Sequence, residues 1–400
     1  MASIFCFGQS RTLNEYIQLA KDNSPVLKGF QNQILSNRID SQILRATTKT
    51  QVNFISTDLY APVIGGWGYD EVITNLAQVS ALVQASKNFL SKGNLAAQYR
   101  QIALQSQALR DSMQLSVKDL VRTITEQYIT AYGDQLTMDY SRELYDLLKR
   151  EEEALKKLAE SSVIKQTEFL AFDITLQQQE LTYLQAEIQY NADYLTLNYL
   201  AGIVDTTIGR VEEPRLEDSL PHDFYSSAFY HRYVTDSLRI VNERRLIDYS
   251  YKPAIGVFTD GGFNSSLHTT PYKNIGFSVG ASVKIPLYDG HQKKLKYQKL
   301  DIQERTRLIN KDFFIRQYTQ QVAQLYIQLH ATELLFDKIR QQVNYTKTLI
   351  VAYEKLLETS DVRILDFVTA ITNYLNAQNS FRQNLISRLK IMNQINYWNR

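Results

Sequence analysis

Most of this 400-residue chain carries apolar positions at helical spacing, but four short stretches abandon that period for alternation. In "NIGFSVGASVKIPLYDG", residues 274–290, Phe277, Val279, Ala281, Val283 and Ile285 fall on one side of an extended chain. Gly276, Ser278, Gly280, Ser282 and Lys284 fall on the other. Ala77, Val79, Ala81, Val83 and Ala85 alternate in the same way with Gln78, Ser80, Leu82, Gln84 and Ser86. "QVNFISTDLY" and "AIGVFTDG" precede these two stretches, so strands are predicted over 51–60, 75–90, 254–261 and 274–287. "TDGGFN" at 259–264 lacks the acidic spacing of an EF-hand loop and reads as a turn from strand to loop.

The remainder reads as helix. Leu13 to Arg45 and roughly Ser226 to Tyr249 form the shorter pieces, with Ser24-Pro25 as an N-cap followed by an N1 proline. Proline is then missing from Asn94 to Tyr199 and from His291 to the C-terminus. Ile339, Val343, Thr346, Ile350, Tyr353 and Leu357 step alternately by four and three, the repeat of helices that supercoil on a neighbour. A hundred residues of unbroken helix would reach about 150 Å. Each segment is therefore expected to fold back once, at "ESS" (160–162) and at "ETSD" (358–361).

Those two turns are equivalent by duplication. "KLAESSVIKQTEFLAF" from Lys157 aligns without a gap on "KLLETSDVRILDFVTA" from Lys355, matching Lys165 to Arg363, Glu168 to Asp366 and Phe169 to Phe367. The first unit is read as 11–202, with its long hairpin at 94–200. The second is 223–400, with its hairpin at 291–398, and 203–222 links the two. Each runs helix, strand pair, helical hairpin. Residues 1–10 read as the remainder of a secretory signal, and Cys6 as a weaker candidate for lipid attachment because the residue before it is Phe5.

Composition narrows the function. A formal charge of +2, from 44 basic and 42 acidic residues without long runs of either, argues against a nucleic-acid partner. One cysteine and five scattered histidines exclude a disulfide framework and a multi-thiolate metal site. No cofactor is expected, and no nucleophile, base or phosphate loop points to an enzyme. No stretch approaches the roughly 20 apolar residues of a spanning helix, so a membrane crossing must use strands. The four strands suit that role, being half apolar and nearly free of charge. Aromatic residues bracket them as an interfacial girdle would: Tyr60, Trp67, Tyr69, Tyr272 and Tyr288. Four strands cannot close a barrel, and open edges are not tolerated in lipid, so several chains must contribute.

The duplicated order, with "RTLNEYIQLAKDNSPVL", "LNYLAG" at 197–202 and "VKIPLYDGHQKK", resembles the TolC-like outer-membrane efflux proteins over nearly the whole chain. The resemblance implies a mainly α fold with a small β part. Three chains, a homotrimer, would form a 12-stranded β-barrel in outer-membrane lipid and a tube of coiled-coil hairpins across the periplasm. A periplasmic adaptor and an inner-membrane transporter are the implied partners, with passage of small molecules or proteins and no chemistry. By resemblance Asp366 matches the acidic position at the periplasmic aperture, with Glu168 its first-repeat equivalent. The second acid often found three residues on is here Thr369. Lys165 and Arg363 are candidates for ion pairs between hairpins that hold the entrance closed, and Ser161, Ser162, Thr359 and Ser360 for adaptor contacts. The alternative is a periplasmic coiled-coil adaptor or scaffold without a barrel.

Overall fold

The computed structural model describes residues 11–70, 77–216, 224–267, 270–358 and 363–399. Residues 1–10, read as a signal remnant and containing Cys6, and the candidate contacts Thr359 and Ser360 lie outside them. The elements follow the order α1 (Leu13–Asn23), α2 (Pro25–Thr47), β1 (Gln51–Tyr60), β2 (Ala77–Phe89), α3 (Lys92–Glu160), α4 (Gln166–Leu200), α5 (Ala228–Ser250), β3 (Ala254–Ser265), β4 (Ile275–Lys284), α6 (Gln292–Glu358) and α7 (Ile364–Asn399). They divide between two compact units. One comprises Met1–Gly29, Met113–Tyr230 and Asp312–Arg400, the other Phe30–Ser112 and His231–Lys311.

The second of these units holds one antiparallel sheet in the order β1-β2-β3-β4. β2 and β3, which come from different repeats, pair from Val79↔Ser265 to Phe89↔Ile255. β1 and β4 are therefore the edges. β3 runs to Ser265, past the end expected at residue 261, and "TDGGFN" lies within it and is not a turn. The reason is close approach: a Cβ on Gly262 would stand 2.2 Å from the Ala81 carbonyl oxygen. The glycine pair lets neighbouring backbones meet where composition alone suggests a break.

The other unit packs helices around tyrosines. Tyr16, Tyr128, Tyr190 and Tyr194 are buried with Leu13, Ile124, Ile129, Leu197 and Leu389 in one core. Burial of phenols requires partners for their hydroxyls. Tyr16 donates to Asn198 Oδ1 at 2.9 Å, and Tyr190 to the Gly209 carbonyl at 2.7 Å. Gln135 acts as a strand-like clamp on the inter-repeat segment. Its Oε1 accepts from Val211 N at 2.9 Å and its Nε2 donates to Val211 O at 3.1 Å. α1 begins with a capping box of Thr12 and Glu15. Ser24 Oγ accepts from Leu27 N at 3.3 Å and so caps α2. α4 ends in a Schellman arrangement: Ile203 N donates to Asn198 O at 2.9 Å and Gly202 N to Tyr199 O at 3.0 Å, with Gly202 at φ +69°.

Candidate functional site

The pairing register sorts the sheet into two chemically different faces. Directly opposed residues of antiparallel strands share a face. Phe54 opposes Val83, Val83 opposes Gly261, and Gly261 opposes Phe277. The next row on that face is Val52, Ala85, Thr259 and Val279. The other face carries Asn53, Gln84, Asp260 and Ser278 in one row, with Ser278 Oγ donating to Asp260 Oδ1 at 2.8 Å. The apolar face is bare, with Phe277 84% and Val279 77% exposed. In β1 and β4 nearly every residue is exposed.

Topology places the aromatic residues at the sheet ends. β1 and β3 run the same way, so the β1–β2 and β3–β4 connections leave from one end, carrying Tyr60, Trp67, Tyr69 and Tyr272. Tyr288 follows β4 toward the opposite end, where Phe89 closes β2. All six are exposed.

In the helical unit, the hairpin ends are built on buried apolar side chains. Phe172, Phe367, Leu155, Leu148, Ile364 and Ile371 form one cluster from α3, α4 and α7. α3 stops at Glu160 by the device that ends α4: Val163 N donates to Leu158 O at 2.9 Å and Ser162 N to Ala159 O at 3.0 Å. Ser162 takes φ +60°, the position Gly202 holds in α4, without glycine's freedom. Ser161 Oγ donates back to Lys157 O at 2.9 Å. Both serines therefore end the helix while remaining exposed.

The charged residues at the hairpin ends make local contacts within this chain. Arg363 Nε lies 3.1 Å from Asp366 Oδ2 on the first turn of α7, with the arginine largely exposed. Lys165 occupies the N-cap position of α4 and Glu168 its first turn. No ion pair joins either to another described residue. Thr369 spends its hydroxyl on the Leu365 carbonyl at 2.7 Å.

Two features escaped the sequence reading. On α4, Leu170, Ile174, Leu181, Leu184, Ile188, Leu195 and Tyr199 are all exposed. Their steps of 4, 7, 3, 4, 7 and 4 form a coiled-coil stripe that no helix covers among the described residues, and the spacing was there to be read. The second feature is a carboxyl pair. Burial, then the facing Asp193 carboxylate, pushes Asp134 up to about 7, against the lowering pull of Lys390 and Arg382. Asp193 stays below its ordinary range although burial opposes this, because Asp134, Gln127 and Gln189 hydrogen-bond to it. The upward direction for Asp134 and the downward one for Asp193 together favour a single proton on the pair. The two lie on α3 and α4, and nothing local in the sequence joins them.

Among the described residues no cluster of His, Cys, Asp and Glu could hold a metal, and no helix is long and apolar enough to cross a membrane.

Several solved structures share this arrangement. A membrane protein from Pseudomonas aeruginosa superposes with a TM-score of 0.77 at 13% identity, over 98% of this chain and 91% of its own. The CmeC outer membrane channel of Campylobacter jejuni gives 0.74 at 12%, over 97% and 85%. The outer membrane protein VceC of Vibrio cholerae gives 0.74 at 13%, over 97% and 96%. No family model and no curated protein matches the sequence. The chain has the fold of these outer-membrane proteins, the TolC-like fold that its duplicated order resembles.

Proposed function

We propose that this chain is one subunit of a trimeric exit duct in a Gram-negative outer membrane, passing solutes or proteins from periplasm to exterior. The observation that carries the reading is the sheet. A mainly apolar face, interrupted by Ser56, Asp58 and Thr259, lies exposed across four strands, a more polar face that also carries Ile55, Leu82 and Phe258 lies behind it, and both edges are open among the described residues. Water on both sides would leave the apolar face without a partner. Lipid outside and an aqueous lumen inside match both faces, and closure with sister chains satisfies the edges. Three copies supply twelve strands. The α4 stripe supports the same assembly, since it offers each copy a coiled-coil seam for a neighbour.

A scaffold without a barrel has no use for such a sheet. The fold shared with CmeC, described as an outer membrane channel, supports the duct as well.

Control of passage is assigned to the hairpin ends. Three Asp366 carboxylates around a narrow throat would attract and retain cations, and the single ring without a second acid at Thr369 makes that block weak. Arg363 restrains Asp366 through an exposed pair three residues apart. Such pairs contribute about 0.2–0.5 kcal/mol, so docking of a periplasmic adaptor exchanges the contact at little cost. Ser161, Ser162, Thr359 and Ser360 are the adaptor contacts in this scheme, and an inner-membrane transporter completes the path.

The test is reconstitution. Detergent-extracted protein should run as a trimer in native mass spectrometry and give discrete conductance steps in planar bilayers. Asp366→Ala should keep the conductance and lose part of its block by multivalent cations. A monomer that stays soluble without detergent and gives no conductance would end the proposal.

A further inference from the structure

The end of the sheet where the helices join carries a basic and aromatic rim that the duct reading does not use. β3 and β4 close on the pair Ala254↔Lys284, with Tyr251 and Lys252 just before β3 and Tyr288 after β4. From residue 284 to 300 the sequence holds five lysines and one acid, Asp289. Lys293, Lys294 and Lys296 fall in the first two turns of α6, whose first turn has no acidic residue. Cations there oppose the helix dipole, so helix stability does not account for them.

Two tyrosine rings bring these cations together. Lys293 Nζ and Lys296 Nζ lie 5.3 and 5.7 Å from the centre of the Tyr251 ring. Lys293 Nζ is also 5.8 Å from the Tyr297 ring, which the Arg244 guanidinium approaches at 5.3 Å. The acids of the cluster are engaged. The Tyr251 hydroxyl donates to Asp289 Oδ2 at 2.5 Å, and Lys293 N donates to the same oxygen at 2.7 Å. Asp248 accepts from the Tyr297 hydroxyl and lies 3.5 Å from Lys293 Nζ, while Asp301 pairs with Arg244. The two phenol hydrogen bonds hold Asp289 and Asp248 below the usual carboxylate range. Lys252 and Lys296 are exposed and form no ion pair with another described residue. An ammonium resting on a ring face keeps N–H donors for an oxygen acceptor.

Depth and face point to lipid. Thr259 lies opposite Val279 at the centre of β4, and Lys252 is seven residues before it. At about 3.3 Å per residue and a barrel tilt of about 40°, that separation is roughly 18 Å of depth. The apolar band ends about 12 Å from its middle and the headgroup layer about 20–22 Å from it, so Lys252 reaches the headgroups. The apolar face ends in the same chemistry. Lys87 shares its row with Val257 and Ala281, and its Nζ lies 5.7 Å from the ring of Phe89, the next position of β2 on that face toward the helices. A lysine that leans along an apolar surface toward its rim keeps its stem in the apolar layer and its charge at the boundary.

We propose that this rim binds the phosphate of an anionic phospholipid in the leaflet nearest the helices, with Lys293 and Lys296 as its ligands and Lys252, next to Tyr251 in the chain, reinforcing their charge. The proposal rests on the duct reading, which sets lipid against the apolar face. Lysines interleaved with tyrosines suit that layer, because the ring spans the boundary between hydrocarbon and water while the ammonium meets phosphate oxygens.

The experiment offers detergent-extracted, full-length protein an equal mixture of short-chain phosphatidylglycerol and phosphatidylcholine with the same acyl chains. Native mass spectrometry counts what is retained, and planar bilayers of phosphatidylcholine alone read conductance in parallel. Phosphatidylglycerol should be retained in excess, and Lys296→Gln should cut that excess about fivefold. Changing Lys252, Lys293 and Lys296 together to glutamine should leave the two lipids equal, and changing them together to arginine should keep the excess; every variant should keep the parent's conductance. Inorganic phosphate should fail to displace the lipid, and displacement would assign the site to a soluble anion and overturn the inference. Conductance without a lipid preference in the parent, or an unchanged preference in both glutamine variants, would overturn this inference alone. A parent without conductance would end the duct reading and this one with it.

Discussion

If the apolar face of the sheet meets lipid, two neighbouring residues on one strand should respond in opposite ways to the same substitution. Val279 lies on the exposed apolar face, in the row of Val52, Ala85 and Thr259. Ser278, its neighbour, opposes Asp260 on the polar face. In β4, Ile275–Lys284, Val279 stands four residues from one end and five from the other. At about 3.3 Å per residue these are distances of roughly 13 and 17 Å along the strand. A barrel tilt of about 40° reduces them to roughly 10 and 13 Å of depth, which places Val279 near the middle of an apolar band of about 25 Å. Arginine there costs about 2–4 kcal/mol per chain, hence about 6–12 kcal/mol in a trimer. Val279→Arg should therefore abolish or sharply reduce the folded fraction in vesicles, read by urea titration with Trp67 fluorescence. Ser278→Arg faces water and the Asp260 carboxylate, and should stay within about 0.5 kcal/mol of the parent, as surface changes do. Equal loss in the two variants, or loss only in Ser278→Arg, would refute the assignment of faces.

Three further outcomes test the helical unit. Leu181 and Ile188 are 53% and 69% exposed in the single chain; burial between copies contributes about 1–2 kcal/mol for each. The double change to glutamine should thus lower the urea concentration at which native mass spectrometry sees monomer, and an unmoved transition would remove α4 from the interface. Asp134, held at about 7, keeps a proton when folded that the unfolded chain releases, so its contribution to stability falls as pH rises from about 4 through 7. Asp134→Asn should remove that fall, gaining about 1–2 kcal/mol near pH 8 once solvent screening of a half-buried group is allowed for, and nothing near pH 4; parallel urea midpoints for parent and variant across this range would contradict it. Ser162 occupies a left-handed position at φ +60°, so Ser162→Gly should raise stability by about 0.5–1 kcal/mol in the same titration and Ser162→Val should lower it. No gain from glycine would mean that the helix end carries no strain.

The period of the strands and the polar turns were legible because both are local. Alternation from Phe277 to Val283 marks a two-faced strand wherever it sits, and "ESS" ends a helix because Ser161 and Ser162 satisfy its last carbonyls. Register is different in kind. That β2 of one repeat pairs with β3 of the other, bringing Val83 onto Gly261, is a property of the sheet and of neither strand. The same holds for Gly262, which reads as a breaker until the Ala81 carbonyl is found against it. Asp134 and Asp193 meet only because two helices pack, and each alone is an ordinary charge on a polar surface.

Edges, bare apolar face and α4 stripe have a common physical form. Each is a surface that obeys a local rule of pattern while failing, within one chain, the rule that such surfaces be covered. A chain selected to fold alone would have placed Lys or Pro along β1 and β4, and polar side chains at Ile174 and Ile188. Instead the edges are long, β4 has nearly every residue exposed, and Lys284 is its only charge, at the end. In the proposed trimer, the mismatch between pattern and cover is where assembly would be encoded. It is legible in sequence as periodicity without a partner, and in structure as exposure along that same periodicity.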